Sequence, residues 1–204
     1  MTISDFIFKV NLKLKNIAIY CIFQYPRVLK YKFLSDNKNI IGNPTYNQPT
    51  QLLGKGTIMF GKNVNLGVKP SPNLYSGYGY IDARKPYSKI FIGDGVWINN
   101  NFMIASEGKG IEIGARTLIG LNVEISDSDF HDLHPDKRMS GVPKTSKVVI
   151  SENVFIGSNV KILKGVTIGK NSLIANSSVV TKSIPENVIA GGNPCKVIRQ
   201  IDFN

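Results

Sequence analysis

The residues best suited to chemistry stand together in one polar stretch, DSDFHDLHP at 127–135. It holds both histidines of the chain, His131 and His134, behind the carboxylates of Asp127 and Asp129. A neutral imidazole accepts a proton at cellular pH and can later return it. For the stretch on its own, a loop histidine whose nitrogens are satisfied by hydrogen bonds is the simpler interpretation. The two carboxylates could orient an imidazole, although capping of a loop turn is the simpler interpretation.

The number and spacing of the cysteines argue against disulfide, metal or redox chemistry. Cys21 and Cys195 are the two cysteines of the chain, and they lie far apart in no metal or redox spacing. We therefore expect no disulfide framework and a reducing compartment. With one base and no activated nucleophile in view, direct attack on a substrate is more economical than a covalent enzyme intermediate.

The element that must position the histidines is a repeat. β-Branched aliphatic residues recur every six positions from residue 150, at Ile150, Ile156, Ile162, Ile168, Ile174 and Val180. Six residues is neither the period of a helix nor that of a simple strand. It fits a chain that makes a short strand, turns a corner and repeats, so that three strands close a triangular coil. The aliphatic side chains then point inward and stack from coil to coil.

The interruptions of the repeat indicate where loops leave the coil. The same register appears earlier at Ile92, Ile98 and Ile104, at Ile113, Ile119 and Ile125, and more weakly at Phe60 and Leu66. The gap from Ile125 to Ile150 predicts an ejected loop at 126–149, and residues 68–89 lose the period. We expect an N-terminal appendage and linker at 1–57, the coil at 58–185 and a tail at 186–204.

Charge is concentrated near the N-terminus. The chain carries 25 basic and 14 acidic residues, and residues 1–38 hold seven Lys or Arg against Asp5 and Asp36, mixed with apolar residues. A solvated face on a packed appendage is the simpler interpretation, and contact with an anionic membrane surface is the alternative. Residues 5–15 favour a helix. The apolar run at 17–23 is shorter than the roughly 20 residues of a spanning helix. No signal peptide or nucleic-acid motif is recognised, so we expect a cytoplasmic protein.

The loop HDLHPDKRMSGVPKTSKVVI and the segment VVTKSIPENVIAGGNPCKVIR make residues 90–200 resemble the hexapeptide-repeat acyltransferases, in particular the galactoside and maltose O-acetyltransferases. The resemblance implies an all-β, left-handed parallel β-helix, a homotrimer with active sites between subunits, acetyl-CoA as co-substrate and no metal. It also assigns the catalytic base to His131 rather than His134, because Arg138 and Gly141 follow at the family's spacing.

The resemblance further implies two sets of binding residues. Acceptor contacts fall on Asn99, Glu107 and Arg138, with the alternatives of an asparagine ladder for Asn99 and a solvated loop charge for Glu107. CoA contacts fall on Ser158, Asn176, Thr181, Lys182, Lys196 and Arg199, where cations would hold phosphates. Asn176 and Lys196 depart from the small residue and the Arg that are usual in the family, and Phe155 stands where many relatives have Trp. A solvated surface charge is the alternative for each basic residue.

The predicted function is acetyl transfer from acetyl-CoA to a sugar. The central stretch NLYSGYGYIDARKPYSK resembles acetyltransferases of bacterial surface polysaccharide. This resemblance implies a sugar acceptor in the biosynthesis of O-antigen or capsule. O-acetylation is the first interpretation, and N-acetylation of a nucleotide-linked amino-deoxysugar is the alternative. A zinc enzyme of the γ-carbonic anhydrase kind is a remote one, because it needs three histidine ligands shared between subunits. A non-catalytic scaffold and a serine acetyltransferase rank below these.

Overall fold

The computed structural model describes residues 3–203. Helical structure is confined to the N-terminus and one loop. Helix α1 (Ile3–Ile19) continues through a π-helical segment (Tyr20–Gln24) into α2 (Tyr25–Phe33), and a short 3-10 helix covers Pro135–Lys137. The helix expected at 5–15 is confirmed. No helix within residues 3–203 is long and apolar enough to cross a membrane.

The rest of the described chain winds through three sheets, which we call faces A, B and C. Face A contains β1 (Ile40–Ile41), β4 (Thr57–Phe60), β7 (Lys89–Ile92), β10 (Ile111–Ile113), β13 (Val148–Ile150) and β16 (Thr167–Ile168). Face B contains β2 (Thr45–Tyr46), β5 (Asn65–Leu66), β8 (Trp97–Ile98), β11 (Leu118–Ile119), β14 (Phe155–Ile156), β17 (Leu173–Ile174), β19 (Val188–Gly191) and β20 (Lys196–Gln200). Face C contains β3 (Thr50–Leu53), β6 (Gly79–Ala83), β9 (Met103–Ser106), β12 (Glu124–Ser126), β15 (Lys161–Ile162) and β18 (Val179–Val180).

Neighbouring strands on each face pair in parallel, and the antiparallel pair β19–β20 ends face B. The registers place the six-residue aliphatics directly above one another. Ile104, Ile125, Ile162 and Val180 form one such column on face C, and each is at most 1% exposed. Full burial of a side chain of this kind contributes about 1.5–3 kcal/mol. The predicted inward stacking is therefore confirmed, and it supplies the continuous core.

Asparagines turn the corners between the faces. Asn101, Asn122 and Asn159 have φ between 56° and 59°, in the left-handed region that Asn tolerates better than most residues. Their side chains form a ladder, since Asn101 Nδ2 donates to Asn122 Oδ1 at 2.7 Å and Asn122 Nδ2 donates to Asn159 Oδ1 at 3.0 Å. A second ladder joins Asn153, Asn171 and Asn187 at the corner between faces A and B. The ladders hold successive coils at a fixed spacing.

The parallel coil begins at Ile40, earlier than the predicted start near residue 58. Strands β1 to β3 already pair in parallel with β4 to β6. The six-residue period does not reveal this first coil, because Ile40 and Ile41 at its end are exposed and loops of Asn, Pro and Gly separate its strands. Part of the irregular stretch 68–89 also belongs to the coil, as β6. The ejected loop occupies 127–147, between β12 and β13.

Helix α2 fastens the N-terminus to the coil. The guanidinium of Arg27 donates to Leu74 O at 2.8 Å and also to Gly77 O, in the loop that precedes β6. Tyr31 stacks on Tyr78 with ring centroids 4.4 Å apart. These contacts connect the appendage to the start of face C. Both cysteines are free, and burial raises the pKa of the Cys195 thiol.

Candidate active site

The root of the ejected loop is fixed by a buried carboxylate. Asp127, which is 0% exposed, accepts hydrogen bonds from Glu107 N at 2.7 Å, Gly110 N at 2.7 Å and Ser106 Oγ at 2.8 Å. These donors lie at the end of β9 and in the turn after it, one coil earlier. Asp127 therefore caps a turn, as the simpler interpretation of the sequence held, and orients no imidazole.

Glu107 completes the root from the other side. It is 8% exposed, its Oε2 accepts from Ser128 Oγ at 2.9 Å, and its Oε1 lies 3.7 Å from Lys85 Nζ. The alternative of a solvated loop charge is therefore wrong for this residue. Asp129 next along the loop pairs with Lys164 Nζ at 2.9 Å, one coil further on. The first residues of the loop are thus held by the coils on both sides.

His131 follows a strained residue. Phe130 has φ +58°, which is uncommon for a bulky side chain and turns the chain away from the coil. His131 is exposed, and its Nδ1 lies 2.9 Å from the carbonyl oxygen of Arg138. A carbonyl oxygen accepts and cannot donate, so Nδ1 carries the proton. In a neutral ring this leaves the Nε2 lone pair free to take a proton from a bound molecule.

The other predicted residues of the loop have local roles. His134 Nδ1 accepts from Asp136 N at 3.3 Å and caps the 3-10 helix. Arg138 holds the His131 ring through its backbone carbonyl, while its side chain is exposed. The predicted contact of the Arg138 side chain with an acceptor stays a prediction.

A pocket of about 690 Å³ opens on the outer surface of face C, beside Phe130. It is lined by Tyr78, Tyr80, Arg84, Asn101, Phe102, Met103, Ala105, Glu124 and Phe130. Arg84 lies over the Phe130 ring, 5.0 Å from its centroid, and its Nε is 3.0 Å from Asp82 Oδ2. Partial burial acts to lower the pKa of Arg84, but the hydrogen bond and charge of Asp82 outweigh it and raise that pKa. Aromatic faces beside fixed polar groups are typical of a binding site for small polar molecules.

Sequence reasoning missed most of this pocket. Tyr78, Tyr80 and Arg84 lie in the stretch 68–89, which breaks the repeat and is rich in Tyr, Gly and Pro. This composition, outside the repeat, is the sequence signal that could have indicated a binding site there. Burial and the neighbouring charge of Asp82 raise the pKa of Tyr80, so its hydroxyl stays protonated and can donate a hydrogen bond.

Asn99 lies at the corner between faces B and C, and its Oδ1 accepts from the backbone N of Asn100 at 2.7 Å. The asparagine ladder considered for Asn99 passes instead through Asn101, two residues on. Asn100, fully buried, donates to Pro72 O at 2.8 Å and fixes the loop before β6. Asn99 is half-buried, between the buried Asn100 and the exposed Asn101, and its predicted acceptor contact stays a prediction.

The residues predicted to bind CoA fall in the last coils. At the corner between faces B and C, Asn176 Oδ1 accepts from the backbone N of Ser158 at 2.8 Å, and Ser158 Oγ accepts from Leu121 N at 3.1 Å. Both side chains therefore support the corner. Lys196 on β20 is paired in register with Gly191 on β19, one coil beyond this corner.

Thr181 and Lys182 follow β18 at the corner between faces C and A, one coil beyond Lys164. Lys182, Lys196 and Arg199 are all exposed. Within residues 3–203, neither Lys182 nor Lys196 has an ion-pair partner, and Arg199 bonds only the carbonyl of Gln200, at 3.1 Å. The structure thus places three cations in the last turns of the coil. They suit the phosphates of a nucleotide cofactor.

Comparison with known proteins agrees with this architecture. The family model described as bacterial transferase hexapeptide (six repeats) matches residues 147–182. The galactoside O-acetyltransferase of Lactococcus lactis is 36% identical over 155 residues, which cover 76% of this chain and 69% of that protein. The chain belongs to the hexapeptide-repeat transferase family. The predicted resemblance is confirmed.

Other relatives match over different shares of their length. A putative acetyltransferase of Saccharomyces cerevisiae, YJL218W, is 44% identical over 64% of this chain, which spans only 61% of the yeast protein. A putative lipopolysaccharide biosynthesis O-acetyl transferase of Escherichia coli, WbbJ, is 33% identical over 74% of this chain and 76% of its own length. The solved structure of a galactoside acetyltransferase in complex with coenzyme A covers 87% of this chain and 82% of its own, with a TM-score of 0.52 and 28% identity.

The expectation of an acyl-CoA-dependent transferase is therefore confirmed at the level of the family. This chain spans about three fifths of the length of the yeast relative. In the described part of the chain, no group of three or more His, Cys, Asp or Glu residues is placed to hold a metal ion.

Proposed function

We propose that this transferase moves an acetyl group from acetyl-CoA to a sugar hydroxyl in the biosynthesis of a bacterial surface polysaccharide. The support is the similarity to galactoside O-acetyltransferases and to the putative lipopolysaccharide O-acetyl transferase. Both are named for transfer to oxygen. A cytoplasmic location fits acetyl-CoA as the donor.

The observation that carries the proposal is the hydrogen bond from His131 Nδ1 to Arg138 O. It leaves Nε2 as the proton acceptor on an exposed ring. As the acceptor hydroxyl attacks the thioester carbonyl, its proton passes to Nε2 and the new O–C bond forms. The C–S bond then breaks, and Nε2–H returns the proton to the departing sulfur. The products are the acetylated sugar and CoA thiol, with no net change at His131.

The pocket on face C is the proposed acceptor site. Tyr78, Tyr80 and Phe130 offer aromatic faces to a sugar ring, and Arg84 and Asn101 offer hydrogen-bond donors to its hydroxyls. Phe130 both lines this pocket and precedes His131 in the chain. Asn99 and Arg138 are the further proposed acceptor contacts, and Glu107 acts on the acceptor through the loop that it holds.

The proposed CoA site lies at the far end of the coil. Lys182, Lys196 and Arg199 are exposed there and would hold the phosphates, and the Thr181 hydroxyl next to Lys182 in the chain would add a hydrogen bond. Ser158 and Asn176 shape the corner along which the pantetheine arm would lie. Lys196 provides charge without the bidentate fork of an arginine.

We further propose a homotrimer of left-handed coils, with each site completed by a neighbour. Two exposed apolar surfaces support the assembly. On the ejected loop, Met139 and Val142 are 90% and 82% exposed. On face B, the outward side chains of Trp97, Leu118 and Phe155 stack in register and are each nearly half exposed. A neighbouring subunit would cover both.

The proposal is tested by following CoA thiol release from acetyl-CoA with two acceptors side by side. Methyl β-galactoside offers only hydroxyl groups, and a dTDP-linked 4-amino-4,6-dideoxyglucose offers an amine. Faster acetylation of the hydroxyl sugar, with an O-acetyl product by mass spectrometry, is expected. Exclusive acetylation of the amine would replace O-transfer by the N-acetyltransferase alternative, and no transfer to either would count against a sugar acetyltransferase.

A further inference from the structure

The N-terminal helical arm, residues 3–34, presents an apolar stripe that nothing in the described chain covers. Phe6, Val10, Leu14 and Ile17 recur at helical spacing along one side of α1 and are between 39% and 59% exposed. The main contacts of α1 are with the π-helical segment that continues the same helix, whereas α2 packs against β3 of the coil. The stripe therefore belongs to the part of the arm that does not pack on the coil.

Lysines border this stripe on both sides. At 100° per residue, Lys13 projects next to the row of Phe6, and Lys15 projects beyond the opposite edge, near Ala18. Long lysine stems can lie along an apolar surface while their ammonium groups reach outward to anionic groups. Apolar side chains between flanking cations are the pattern of a helix that lies in the interface of a membrane.

The charge of the whole arm has the same sign. Residues 3–34 contain five lysines and Arg27 against the single carboxylate of Asp5. Since Arg27 binds loop carbonyls, the lysines of α1 and α2 supply the outward charge. An anionic bilayer complements both the apolar stripe and this charge. The arm of a second copy would present the same excess of positive charge, so it complements this arm less well than an anionic bilayer does.

We propose that α1 docks in the surface of an anionic lipid bilayer, with its Phe6–Ile17 stripe among the acyl chains. The arm is fastened to the coil by Arg27 and by the Tyr31–Tyr78 stack. Tyr78 also lines the pocket on face C. Docking therefore holds that pocket at a fixed position relative to the lipid surface. Docking of α1 in the bilayer does not depend on the chemistry at His131.

Co-sedimentation of the full chain with vesicles tests the proposal. Vesicles of phosphatidylglycerol and phosphatidylcholine in equal amounts should bind the parent protein, and added salt should weaken binding. The double variant Val10→Asp, Leu14→Asp should lower the partition coefficient at least tenfold. The matched control Leu12→Asp, Asn16→Asp adds the same negative charge on the other side of α1, and it should lose several-fold less.

Equal losses in the two double variants would overturn the docking of the stripe and leave only a general charge effect. Absence of parent binding to the anionic vesicles would overturn the proposal entirely. Light scattering on each variant in the absence of lipid tests whether a second copy of the chain covers the stripe instead. If it does, the stripe variant should change the mass of the assembly, and the lipid proposal is overturned. All variants should keep the parent rate with acetyl-CoA and methyl β-galactoside, so failure of the lipid proposal is distinguishable from failure of the proposed activity.

Discussion

The imidazole of His131 donates from Nδ1 to the carbonyl oxygen of Arg138, seven residues further along the same loop, at 2.9 Å. The contact closes the tip of a loop whose root is held by Asp127 and Glu107 in the coil. The backbone carbonyl of residue 138 can accept this hydrogen bond whatever side chain that residue carries. The arrangement therefore separates the part of Arg138 that orients the histidine from the part that faces solvent.

An Arg138→Ala substitution tests this separation. Because the carbonyl is retained, kcat should stay within about threefold of the parent, and any loss should appear as a raised KM for the acceptor. Steady-state kinetics with the acceptor varied at saturating acetyl-CoA measures both. A large fall in kcat with KM unchanged would show that the guanidinium itself acts in the chemical step.

Asp127 should be a major contributor to stability. Replacing it by alanine leaves the buried donors Glu107 N, Gly110 N and Ser106 Oγ without their acceptor. The expected fall in the free energy of unfolding is about 3–5 kcal/mol. The exposed carboxylate of Glu152, 3.0 Å from Arg116, is the control, and Glu152→Ala should cost within about 1 kcal/mol. Urea denaturation at one protomer concentration checks both, and similar losses would contradict the assigned role.

Close stacking of coils predicts a contrast between two glycines. A Cβ on Gly157 would lie 2.4 Å from Asn176 Oδ1 and 2.7 Å from Asn176 N, whereas a Cβ on Gly95 would meet nothing nearer than Arg116 Cγ at 3.9 Å. Gly157→Ala should destabilise the protein by about 1–3 kcal/mol. Gly95 has φ +67°, which Asn tolerates, so Gly95→Asn should stay within about 1 kcal/mol of the parent. Thermal unfolding of both variants measures the two stabilities. Equal stability would contradict the close approach of Gly157 to the next coil.

The repeat was predictable because its signal is local. An aliphatic residue every six positions, such as Ile156 or Ile174, follows from the geometry of one strand and one corner, and the same residues are the buried core. Small residues after them, such as Gly157, were visible too. Their reason lies in the backbone of the next coil, at Asn176, which only the stacking brings near.

The site was less predictable because it depends on distant contacts. Glu107 accepts a hydrogen bond from Ser128, 21 residues away in sequence, and Tyr78 stacks on Tyr31 of the N-terminal arm. Neither pairing leaves a periodic trace. The family spacing predicted His131 as the base, but the hydrogen bond that fixes its protonated nitrogen involves a backbone atom, which no residue type encodes.

The turnover of a His131→Ala variant tests the central claim most directly. The variant should assemble and bind CoA like the parent, since the exposed ring bonds only a loop carbonyl, and its kcat should fall by about 10²–10⁴-fold. Acetyl transfer to the sugar by the correctly assembled variant at the parent rate would contradict the assignment of His131 Nε2 as the base.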